Sequence, residues 1–169
     1  LNCVDAERTK GMRLNTSRPL LVCLFGIALL FGCSSKQPLN FGDSSTGNLI
    51  YQVWHTWKAG DRDGALQYAN RLVEVHSPTA REMQASLSDY PATDPPDATY
   101  AVEPLNGVGL ALLIKGDILA EAGDASGSRE AYRTLIDEYG YAQYQTPEGK
   151  WLKLAEEAEK RLAEQDGTS

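Results

Sequence analysis

The chain is poor in the side chains that most chemistry needs. Its 169 residues include two histidines, His55 and His76. A metal site usually requires three or four ligands, and neither histidine has such companions nearby in sequence. His55 lies between Trp54 and Trp57, His76 at the end of a helical pattern, and both are read as surface or dipole-compensating residues. The three cysteines, Cys3, Cys23 and Cys33, all fall at the start of the chain. No disulfide can form beyond them, even in a compartment that would permit one, so stability must come from packing.

Positive charge is scarce too. The formal net charge is -7, and it becomes -9 when residues 1–32 are set aside. That excludes the basic footprint of a nucleic-acid-binding protein and electrostatic docking on anionic lipid. The sequence contains no G-x-S-x-G, no Gly-rich phosphate loop and no H-E-x-x-H. Carboxylates are so common that a pair of them carries no information about glycoside hydrolysis. Asp89, Asp94 and Asp97 lack the alternation and glycine of a calcium loop and read as a solvated acidic loop. No catalytic residue, metal or cofactor is therefore expected.

A long hydrophobic run is also missing. The longest, Leu20 to Phe31, is about 12 residues, or about 18 Å as a helix, whereas a bilayer span needs about 20 residues. With Arg13 and Arg18 ahead of it, it has the dimensions of a secretory h-region. Leu30-Phe31-Gly32-Cys33 resembles the lipobox of bacterial lipoproteins, with Phe31 where that family has a small residue. The resemblance implies cleavage before Cys33 and its lipidation. Ser34 and Ser35 follow, and the absence of Asp after the cysteine implies the periplasmic face of the outer membrane. Met12 is the better start, and residues 1–11 are expected to be an upstream extension. Residues 33–47, polar and rich in Ser and Gly, read as a flexible tether.

What remains is helical in pattern, and one domain is expected over 48–165. Leu49, Ile50, Val53, Trp54 and Trp57 recur at helical spacing, and Ala59-Gly60-Asp61 stops the run. A second helix carries Ala65, Leu66, Ala69, Leu72 and Val73 and is expected to end near His76. Pro78, with Ser77 as its cap, is expected to open a further short helix. The Pro- and Asp-rich stretch is placed in an insertion loop over 89–103. The segment from Val108 to Leu119 is the most apolar, and Ala122-Gly123-Asp124 repeats the earlier turn. Ala131, Tyr132, Leu135, Ile136 and Tyr139 mark the partner helix. A last helix is expected with Thr146 as cap and Pro147 in its first turn, its apolar stripe running from Trp151 to Leu162.

The two Ala-Gly-Asp turns form an internal repeat, and the units around them resemble the tetratricopeptide repeat. In the second unit Gly116 stands at the small position of the first helix and Gly123 at the turn. Ser128 and Tyr132 stand at the small and aromatic positions of the second helix. The first unit matches at Gly60, Ala65, Leu72 and approximately Pro78, and departs at Val53 and Ala69. The resemblance implies an all-α fold of antiparallel helix hairpins, about two repeats, closed by a C-terminal capping helix. It also implies a non-enzymatic scaffold or assembly accessory that binds an envelope protein between its helix pairs. Lipoproteins of this kind serve pili, secretion pores, polysaccharide exporters or the cell envelope. Site assignments follow: Cys33 for the lipid; Gly60, Asp61, Gly123 and Asp124 for the repeated turns; Trp54, Trp57, Tyr141 and Tyr144 for partner contact, since aromatics are enriched at hot spots. Two other readings stand beside this one. One is an envelope enzyme or regulatory subunit acting on cell-wall or exported glycans; the other is a freely secreted protein.

Overall fold

The computed structural model describes residues 39–167, and Cys33 lies outside them. The fold is all-α with one small hairpin. Helix α1 (Thr46–Lys58) and helix α2 (Arg62–Ser86) are followed by a single turn, α3 (Asp97–Tyr100). Then come α4 (Glu103–Glu121) and α5 (Ala125–Glu138), strands β1 (Gln143–Gln145) and β2 (Trp151–Lys153), and α6 (Leu154–Gly167). Helix α4 is the centre: α1, α2, α5, α6 and β1 all pack on it. Leu105, Val108, Ile114 and Ile118 on α4 are buried against Leu49 and Val53 of α1, Leu72 of α2, Leu135 of α5 and Leu154 of α6. Among the described residues no helix is long and apolar enough to cross a membrane.

The two helix hairpins, α1–α2 and α4–α5, turn in the same way. Gly60 (φ 79°) and Gly123 (φ 82°) take the left-handed conformation that favours glycine. The amide of Asp61 donates to the Thr56 carbonyl and that of Gly60 to Trp57; the amide of Asp124 donates to Leu119 and that of Gly123 to Ala120. This is the Schellman pattern twice over. Each aspartate then caps the next helix, Asp61 accepting from the Gly64 amide at 3.0 Å and Asp124 from the Gly127 amide at 2.9 Å. The pair Arg62–Glu121, at 2.7 Å, links the start of α2 to the end of α4.

Three expectations are corrected. Helix α2 does not stop near His76; it runs through Pro78 to Ser86. An interior proline costs about 3 kcal/mol, and tertiary contact offsets it. Buried Tyr139 donates to Ser77 Oγ at 3.1 Å, Arg81 pairs with Glu138 at 2.7 Å, and Ala80 is fully buried. These hold the second half of α2 against the end of α5.

The last helix does not start at Thr146. Thr146-Pro147-Glu148-Gly149 is a β-turn, closed by the Gly149 amide on the Thr146 carbonyl at 2.8 Å, with Gly149 at φ 82°. It joins β1 to β2, with Tyr144 opposite Leu152 and Gln145 opposite Trp151. Pro at the second position and Gly at the fourth suit a turn as well as Thr-Pro-Glu suits a helix start. Helix α6 begins eight residues later, at Leu154.

The expected tether also differs at its end. Phe41 packs edge-on against Tyr68, whose hydroxyl donates to the Asn40 carbonyl, and the His76 ring donates to the Ser44 carbonyl at 2.8 Å. Residues 40–44 are thus laid along α2. In the loop after α2, Asp89, Asp94 and Asp97 are exposed as expected, while its backbone is fixed where Gln143 donates to the buried Pro91 carbonyl and Thr99 to Ala92.

A methyl at Gly60 or Gly123 would meet open space, so alanine there costs about 1 kcal/mol of backbone strain alone. A methyl at Gly116 would overlap the Tyr132 ring, and Gly116→Ala is expected to cost more, about 1–3 kcal/mol. Urea midpoints should therefore rank wild type above Gly60→Ala and Gly123→Ala, with Gly116→Ala lowest.

Candidate interaction cleft

The absence of a side chain at Gly116 lets the Tyr132 ring lie against α4. That contact delivers the phenol to the next residue, and Tyr132 donates to Asp117 Oδ1 at 2.7 Å. Arg161 of α6 donates from Nε to the same oxygen at 2.6 Å. Arg161 Nη1 also reaches the Glu157 carbonyl, and Gln165 donates to the buried Ser128 hydroxyl at 2.8 Å. One acid in the most apolar helix therefore binds α4, α5 and α6 together. Burial, followed by the Asp117 hydrogen bond and charge, pushes the Tyr132 phenol well above its ordinary range, so it stays a neutral donor. Glu157 moves the other way. The Lys160 hydrogen bond at 2.6 Å outweighs burial and holds its carboxyl below the usual range, with Arg161 helping.

Beside this network a cleft of about 670 Å³ opens between α1, α4 and α6. Trp57 contributes an aromatic wall, Ala120 an open stretch of α4, and Glu121, Lys160 and Glu164 the charged margins. Trp57 continues into an aromatic row. Its ring lies 5.2 Å from that of Trp54, and Trp54 lies 6.2 Å from Tyr144 on β1. Lys58 sits over the Trp54 ring at 5.5 Å, while the buried Trp54 indole N–H has no hydrogen-bond partner.

Three of the four expected contact residues, Trp54, Trp57 and Tyr144, are thus brought together. The fourth is not. Tyr141 packs edge-on against Tyr90 at 5.4 Å and donates to the Ser88 carbonyl, so it secures the loop after α2. Gly60, Asp61, Gly123 and Asp124 make the two turns already described. His55 is exposed and stacks on Tyr51; His76 holds residue 44. Among the described residues no group of three or more His, Cys, Asp or Glu is placed to hold a metal ion.

Sequence reasoning missed two features. Tyr51 and Tyr100 are the large exposed aromatics, at 62% and 56%. Tyr51 falls off the apolar stripe of α1, which was a readable sign. Asp117 was passed over as well, although an acid between Gly116 and Ile118 in the most apolar segment is an anomaly in itself. Comparison with protein-family models, curated proteins and solved structures gave no match.

Removing the phenol with Tyr132→Phe is expected to cost about 1–2 kcal/mol, and Asp117→Ala more, because it strands both donors. Denaturant titration would show this order. Acid should act through Glu157. Its folded-state pKa is depressed, so its contribution is present above the ordinary value of 4.5 and is lost as pH falls through the folded value. The stability gap between wild type and Glu157→Gln should therefore shrink between pH 5 and pH 3 (about two units around that value) and remain constant from pH 6 to pH 8.

Proposed function

We propose that this chain is a bacterial lipoprotein, held by lipid on Cys33 at the periplasmic face of the outer membrane, and that its helical domain is a non-enzymatic scaffold. It binds a segment of an envelope protein in the cleft between α1, α4 and α6. The observation that carries this reading is the cleft itself. A recess of about 670 Å³ is walled by Trp57 and runs into Trp54 and Tyr144, and aromatic side chains supply large contact area at small entropic cost. The tetratricopeptide-like reading draws support from the two matching turns and from the Gly116–Tyr132 contact, which falls at the positions where that family pairs a small residue with an aromatic one.

The cleft carboxylates favour a scaffold over the glycan-acting alternative. Asp117, Glu121 and Glu157 are each engaged by a cation of the protein itself. Glu157 is held ionised, the opposite of the raised carboxyl that a general acid needs.

Two measurements test the proposal. Cells fed a palmitate analogue should label the parent protein and not Cys33→Ala; an unlabelled parent rejects the anchor. Crosslinking in intact cells should recover a partner, and its yield should fall at least several-fold when Trp57 is replaced by Ala. Equal yield from both forms rejects the cleft as the contact site.

A further inference from the structure

The charges of the cleft say more about its occupant, on the reading that the domain is a scaffold. Four carboxylates line it, Asp117, Glu121, Glu157 and Glu164, against two cations, Lys160 and Arg161. Arg161, the less exposed cation, is bound to Asp117 and Glu157, and the exposed Lys160 pairs with Glu157. Both cations are thus shared with carboxylates of the cleft itself, and the lining keeps an excess of two acids. Glu121, at the margin, is held from outside. Glu121 is 43% exposed and its partner Arg62 is 54% exposed. Such a surface pair contributes little to stability and exchanges readily. Arg62 itself comes from outside the cleft, from the first turn of α2. Trp57 shares the cleft with Glu121, and a cation over an indole face is attracted by the ring quadrupole. The neighbouring ring already shows this chemistry within the chain, with Lys58 over Trp54. The surrounding field has the same sign, since the chain is acidic overall.

We propose that the cleft receives an Arg- or Lys-bearing peptide segment of the partner protein. Its cation takes the place of Arg62 on Glu121 and lies against Trp57. Arg62 is then a built-in competitor, occupying the acid until the partner arrives.

The test uses the full chain in detergent and a synthetic peptide of alternating Arg and Gly, with a Glu/Gly peptide of equal length as control. The Arg peptide should bind, with affinity falling as salt rises. Glu121→Gln and Trp57→Phe should each weaken it at least several-fold, and Arg62→Ala should tighten it. That last sign is one that damage to the fold would not produce. Tyr51→Ala, on another face of α1, should leave binding unchanged. Binding that ignores Glu121 and Trp57, or a preference for the Glu peptide, overturns the proposal.

A photo-crosslinker at Ala120 in cells separates this idea from the scaffold reading beneath it. Crosslinked segments rich in Arg or Lys support both. Acidic or wholly apolar segments overturn the charge assignment and leave the scaffold standing. No crosslink at Ala120, with no partner recovered elsewhere, removes both.

Discussion

Eleven of the nineteen residues of α4 are buried, and they face every direction around the helix. A helix apolar all round must be covered on all sides, and this requirement arranges the rest of the molecule. The two hairpins supply α1 and α2 on one flank and α5 on another, while α6 and β1 close what is left. Asp117 is the acid among these apolar turns; it is half-buried, and two donors converge on one of its oxygens. A half-buried carboxylate with fewer partners would cost more. The position that endangers the core therefore also ties its outer layers to it.

The cleft grows from the same arrangement. Helix α6 reaches α4 through Arg161 and Asp117, and Trp57 lines the recess from α1. Asp117, Tyr132 and Arg161 at the floor of the recess are ligands of one another, whereas Glu121 at its margin is paired with the exposed Arg62. A floor tied by internal ion pairs and a rim of exposed pairs would let the recess keep its shape if, as proposed, a partner's cation replaces Arg62. Preorganisation of that sort reduces the ordering cost of association.

How much of this could be read in the sequence depended on whether a local signal had one meaning. Ala-Gly-Asp has one: a left-handed glycine followed by a capping aspartate, and both copies fold as read. The stripe of α1 and the burial of α4 were equally plain, since apolar spacing alone determines them. Pro78 was misread because a proline's cost is local while its compensation, through Tyr139 and Glu138, lies about 60 residues away in sequence. Thr146-Pro147-Glu148-Gly149 was misread because the same residues suit a helix start and a hairpin turn. Only the pairing of Tyr144 with Leu152 decides between them. Of the aromatics expected to make contact, the helical spacing of Trp54 and Trp57 implied their meeting. Nothing local could show that Tyr144 would join them and Tyr141 would not.

The uninterrupted α2 has a consequence for how the domain comes apart. At 25 residues it is about 37 Å long, against about 20 Å for α1. Its first half belongs to one hairpin; its second half is bound through Ser77, Arg81 and Gln84 to residues at the end of the other. In a simple solenoid each unit meets only its neighbour's face and can open by itself. Here one element is shared, as a splint is shared by two bones. Neither hairpin can open without breaking contacts of the other, so the two behave as a single cooperative block rather than as separable repeats.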